Sequence, residues 1–210
     1  MTDQTATSSS ATPAGDDVTL VRLWDPALRL FHWSLAVCVT GAWGLGKFGP
    51  NVMTLHFYFG YAVIVLLGFR IMWGLVGPRP ARFASFVYGP GTTLRYVASI
   101  GKRSPSYWPG HNPVGALSVF ALLGALMVQV GTGLFADPDD YVNVGPLADQ
   151  ISSQGRRTAT WLHNRMAWAV LALVALHLSA IVFYKTYKGE NLIRPMITGW
   201  KHVRQRDSRK

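Results

Sequence analysis

His163-Asn-Arg-Met-Ala-Trp-Ala-Val-Leu-Ala-Leu-Val-Ala-Leu-His177 is the stretch that decides the fold. Past Arg165 it carries no charge until Lys185. At about 1.5 Å and about 100° per residue, the step from one imidazole to the next is roughly 21 Å of helix, and the second ring returns nearly to the face of the first. One apolar helix therefore offers a nitrogen ligand at each of two depths. His32 and His56 lie in two other apolar segments, at positions able to complete a pair at each depth.

Composition agrees with a membrane setting. Half of the 210 residues are hydrophobic, 14% are charged, and eight are Trp. Four stretches without charge, Leu30 to Gly46, Phe48 to Phe69, Asn112 to Ala136 and Met166 to Tyr184, approach or reach the roughly 17–25 residues that a spanning helix needs. The first borrows its start from Asp25-Pro26, since proline suits a first helical turn. The fourth starts near Thr158. The reading is an all-α membrane protein, a four-transmembrane-helix bundle with helices about 28–46, 53–76, 113–136 and 158–184. A disordered Ser/Thr/Ala-rich tail is expected over 1–17, the four-helix domain over 18–201, and a basic tail over 202–210. Gly49-Pro50-Asn51 marks the first interhelical turn. Single Cys38 excludes an internal disulfide, and no Cys-x-x-Cys-His motif is present for covalent haem attachment.

Charge sets the orientation. With a cytoplasmic N-terminus, sixteen of the twenty Lys and Arg fall on the cytoplasmic side, and only Lys47, Arg156, Arg157 and Arg165 lie outside, beside Asp137, Asp139, Asp140 and Asp149. By the positive-inside bias both termini are cytoplasmic. The same distribution removes the nucleic-acid reading of a net charge of +10, because the basic residues flank spans and form no single binding face.

This topology puts His32 and His177 at the inner level and His56 and His163 at the outer one. A lone histidine in a membrane span is more commonly an interhelical hydrogen bond than a ligand. Four at two matched depths point to two stacked b-type haems with imidazole on both axial positions, an arrangement suited to electron transfer. Zinc is the weaker reading, since a structural site wants four ligands at one level. Arg29, one turn before His32, is read either as a contact for the inner haem's propionates or as an interfacial positive-inside arginine, and Arg165 is the corresponding outer candidate. Arg70 is read as snorkelling to the headgroups, with the same haem as its alternative. The segment 77–110 is expected to hold a short helix on the anionic inner leaflet, with Leu94, Val97, Ala98 and Gly101 at helical spacing. The acidic loop 137–155 is either a solvated connection or a dock for a periplasmic redox protein.

Trp24-Asp25-Pro26, Arg29-Leu30-Phe31-His32-Trp33 and Phe69-Arg70-Ile71-Met72-Trp73-Gly74 resemble the di-haem bacterial cytochrome b561 family and the related b-type cytochrome subunit of nickel–iron hydrogenases. Ala81-Arg82-Phe83, Gly110-His111-Asn112-Pro113 and Gly189-Glu190-Asn191-Leu192 through Ile197-Thr198-Gly199 continue the likeness, which spans Val18 to Lys201. It implies His32, His56, His163 and His177 as ligands of two haem b groups. For His111 its place in the motif implies a propionate or quinone contact, with a helix-capping loop as the plain alternative. The resemblance further implies the bacterial inner membrane, and electron exchange between the quinone pool and a periplasmic partner such as a c-type cytochrome or dehydrogenase subunit. Some hydrogenase-type members carry a second histidine directly after the first of the fourth helix, where this chain has Asn164. Membrane lipids and a second copy of the chain complete the expected partners. No residue reads as a nucleophile or general base, so "oxidoreductase" here means an electron conduit. The competing readings are a membrane anchor of a larger oxidoreductase such as a hydrogenase and, from another class, a haem-free transporter or assembly factor.

Overall fold

A computed structural model of the chain describes residues 18–49, 53–103, 108, 110–139 and 143–204. The tail expected over 1–17, Pro50 and Asn51 of the first turn, Asp140, and the basic tail past 204 lie outside the described residues. The elements run β1 (Val18–Arg22), α1 (Pro26–Phe48), α2 (Met53–Val76), α3 (Pro90–Ser99), α4 (Pro113–Leu134), α5 (Ser153–Thr186), α6 (Ile193–Thr198) and β2 (Trp200–Arg204).

The helix starts follow from local chemistry. Asp25 caps α1, its Oδ1 accepting the Leu28 amide at 3.0 Å, and Pro26 opens the first turn. Asn112 caps α4 through the Gly115 amide at 2.7 Å, with Pro113 behind it, and Ser152 caps α5 through Gly155. The α5 start falls five residues before the expected Thr158, because this cap lets the polar turn 153–157 join the helix. At 34 residues α5 measures about 51 Å, well over the roughly 30 Å of a bilayer core.

Among the described residues three helices, α2, α4 and α5, are long and apolar enough to cross a membrane. Helix α1 has the length, at 23 residues, but Arg29, His32, Ser34, Thr40, Lys47 and three glycines leave it less apolar than the others. Leu30, Val37, Val65, Leu176 and Val182 are exposed along these helices. Such outward apolar faces suit lipid.

Helix α1 lies along α2, α4 lies along α5, and α2 meets α4. Close approach of α1 to α2 depends on Gly41, where a Cβ would stand 2.9 Å from the Phe59 ring. The middle of the bundle is filled by Val63, Leu67, Leu126 and Val170, with Cys38 and Val39 packed against them. A second cluster, Leu23, Trp24, Leu28, Phe31 and Ala81, closes the end at which the described segments begin and finish.

The chain is not purely helical. β1 and β2 form a two-stranded antiparallel ribbon, Val18 opposite Arg204 through Arg22 opposite Trp200, which brings both terminal segments to one end. The expected boundary at residue 202 therefore falls inside a strand. The short helix expected within 77–110 is α3. It buries Tyr96 toward the protein and leaves Leu94 and Val97 exposed.

Candidate functional site

The four histidines meet as two pairs. His32 of α1 and His177 of α5 stand with ring centres 6.4 Å apart at the terminus-bearing end. His56 of α2 and His163 of α5 stand 6.1 Å apart toward the opposite end. Imidazole–metal bonds of about 2.0–2.1 Å, with the ring centre about 1.1 Å behind the nitrogen, put two rings on opposite sides of one ion about 6.2 Å apart. Val170, seven residues from each α5 histidine, packs in the apolar plug between the levels. Among the described residues no group of three or more His, Cys, Asp or Glu gathers, so these sites offer two ligands each and suit a group that brings its own equatorial donors.

The distal pair is held by its neighbours' backbone. His56 Nδ1 lies 2.8 Å from the Ala42 carbonyl on α1, and His163 Nδ1 lies 2.9 Å from the Gln129 carbonyl on α4. Donation from Nδ1–H fixes each ring's tautomer and leaves Nε2 as the lone-pair nitrogen. Both rings sit over glycine. A Cβ at Gly46 would be 3.1 Å from His56 Nδ1, and one at Gly133 would be 2.9 Å from His163 Cε1. The Gln129 amide nitrogen lies 3.2 Å from both His163 nitrogens, while its Oε1 is buried without a partner. Gln129, Gly46 and Gly133 carry no mark in a single sequence. Only their positions four turns or less from a helix end near the histidines hint at them.

The terminal pair is different. Among the described residues His32 Nδ1 is buried and unpartnered, and no carbonyl tie of the kind seen at the distal rings is made by His177. Nearby, His111 is wedged between the rings of Trp24, at 4.8 Å, and Phe86, at 4.7 Å, with its own Nδ1 buried and unpartnered. Burial, with the Arg70 charge and the rings of His177 and His32 adding to it, pushes the His111 imidazole down to about 3, so it is neutral at physiological pH.

The supporting arginines separate. Arg29 donates through Nη1 to the Ile197 carbonyl. Arg70 does not snorkel: it is 2% exposed, donates to the Ala81 carbonyl at 3.1 Å and stacks 4.4 Å over Phe83. The loop after α2 folds back over the helix end, and Phe83 fits there because Gly74 has no side chain. Arg165 is exposed and lies over the Trp161 ring, and no described contact brings it to the distal pair. In the acidic loop, Asp137 pairs with Arg156 at 3.4 Å and brackets Thr160, so part of that charge is spent internally.

A family profile described as prokaryotic cytochrome b561 matches residues 23–199, more than four-fifths of the chain. The chain belongs to the prokaryotic cytochrome b561 family. Curated relatives cover nearly their whole length. The chain is 26% identical to a probable Ni/Fe-hydrogenase B-type cytochrome subunit of Azotobacter chroococcum over 87% of this chain and 89% of that protein. It is 24% identical to the probable Ni/Fe-hydrogenase 1 B-type cytochrome subunit of Escherichia coli K12 (89% and 92%), and 23% identical to a probable counterpart in Cupriavidus necator (95% and 94%). As a member of this family the chain is a membrane cytochrome of the b type, a haem-binding protein of electron transport.

Proposed function

We propose that this protein carries electrons across the bacterial cytoplasmic membrane through two b haems, one between His32 and His177 and one between His56 and His163. The observation that supports this most directly is the pair of facing imidazoles at each of two levels of α5, 6.4 and 6.1 Å apart, in a chain of this family. A haem held between two imidazoles would supply one-electron exchange. The protein's part is to hold four imidazole rings at set angles, to fix two of them through the Ala42 and Gln129 carbonyls, and to fill the space between the two levels with the apolar cluster around Val170.

Helix α1 serves as the fourth span in this reading. The cytoplasmic side takes both terminal segments in this reading: the ribbon joins 18–22 to 200–204 at one end, and the positive-inside count favours that side. Arg29, Arg70 and His111 collect at the cytoplasmic end, where the propionates of the inner haem or a quinone headgroup would meet them. Arg165, facing outward over Trp161, has no such support. Electrons pass between the quinone pool and a periplasmic redox partner.

A second reading is favoured by the relatives' names: the chain as the membrane-anchoring cytochrome subunit of a hydrogenase-like enzyme. One purification tests both. Reduced-minus-oxidised spectra with pyridine haemochrome quantification should give two low-spin haems per chain. A colourless folded protein made with ample haem would refute the cytochrome reading. Stable copurification of an iron–sulfur subunit would select the anchor.

A further inference from the structure

The two histidine pairs are held in place by different means. Each distal ring is tied to a carbonyl of the helix packed beside it. Neither terminal ring is so tied among the described residues, and α1 and α5, like α2 and α5, are not among the helix pairs that pack extensively on each other, so the carbonyl ties are what distinguish the distal level. Something else must set the distance between His32 and His177.

The segment that follows α5 does this geometrically. Glu190 pairs with Lys201, and its amide donates back to the Tyr184 carbonyl on α5 at 2.9 Å. Helix α6 then crosses to the start of α1, where its last carbonyls are taken by residues that bracket His32. Arg29 Nη1 donates to Ile197 O, and Trp33 Nε1 donates to Met196 O at 3.3 Å. The carbonyl of Gly199 accepts from Leu23 and Trp24 at 2.8 and 3.2 Å, and β2 continues as the partner of β1. The Met196 side chain packs on the cluster that contains Phe31. Gly199 is needed at the crossing: its φ is +86°, and a Cβ would stand 2.8 Å from the Trp24 carbonyl.

We propose that the segment 189–204 is a positioning strap for the inner haem site: it joins the end of α5 to the first turns of α1 and thereby sets the separation of His32 and His177. The claim rests on the reading of these two residues as haem ligands. The distal pair, locked by Ala42 and Gln129, does not need the strap. Loss of the strap therefore acts on one haem and spares the other.

The experiment compares detergent-purified holoprotein of the wild type, Gly199→Val and a chain ending at Glu190, by haemochrome content and by low-temperature electron paramagnetic resonance. Gly199→Val disturbs the crossing without removing any residue, so it covers the case in which the shortened chain fails to accumulate. His56→Ala supplies the spectrum of the inner haem alone. The expected result is that haem per chain falls by half, or that the inner low-spin signal converts to high-spin, while the outer signal stays near wild type. Two unchanged low-spin haems in Gly199→Val would overturn the proposal. Equal loss of both haems from a folded Gly199→Val protein would overturn it too, since the strap would then support the whole bundle. A wild type with no haem would instead refute the cytochrome reading beneath it.

Discussion

Replacement of Gly133 by alanine should loosen the outer haem. The new Cβ would stand 2.9 Å from Cε1 and 3.0 Å from Nδ1 of His163. Comfortable carbon–carbon contact begins near 3.5 Å, so the ring must retreat by about 0.6 Å. A retreat of that size takes the 2.9 Å bond from Nδ1 to Gln129 O to the edge of hydrogen-bonding range. Loss of such an outer partner typically lowers metal affinity about 10–100-fold, or about 1.4–2.8 kcal/mol. Gly131→Ala on the same helix is the control, because nothing lies within 4 Å of its added methyl group. Both substitutions carry the same helical gain of at most about 1 kcal/mol, so the comparison isolates the collision. Transfer of haem to an excess of a soluble haem scavenger, followed by absorbance, reads the effect. The reasoning fails if the Gly133→Ala protein releases haem no faster than the Gly131→Ala protein.

Other outcomes follow from contacts at the terminus-bearing end. Asp25→Ala removes the cap on Leu28 and the acceptor of the Trp73 indole, 3.3 Å away, and should cost about 1–2 kcal/mol in thermal unfolding, with Asp25→Ser recovering part. The buried Tyr96–Tyr184 hydroxyl pair, 2.6 Å apart, ties α3 to α5; a double-mutant cycle with phenylalanine should show a coupling of about 0.5–1.5 kcal/mol in the unfolding midpoint. His111 is held near pKa 3 in the fold against an ordinary 6.5. Below pH 6.5 the unfolded chain takes a proton that the folded one refuses, so stability falls as pH drops toward 3, by at most about 1.4 kcal/mol per unit. His111→Gln should flatten that part of the melting-versus-pH curve; an unchanged slope would show that His111 is free to protonate in the fold.

The juxtaposition of the histidine rings was legible because helical rise and phase are constants of the backbone, and fourteen residues on α5 translate directly into two levels. The caps at Asp25 and Asn112 were readable for a similar reason, since a short polar side chain before proline has few other roles. Arg70 misled, because position near a helix end says nothing about a loop that folds back to bury it. The ribbon was invisible: Arg22 and Trp200 are far apart in sequence, and neither strand alternates strongly enough to declare itself. The carbonyls of Ala42 and Gln129 could not be read at all, since any residue supplies a backbone oxygen.

Helix α5 carries one ring of each pair, with buried Val170 midway between them. Its two rings face different helices, His177 toward His32 of α1 and His163 toward His56 of α2. One helix is thus the shared post of both levels, and each level has a counterpart of its own. A substitution on α1 or α2 near its histidine addresses one level, whereas a substitution in the backbone of α5 between the rings addresses both.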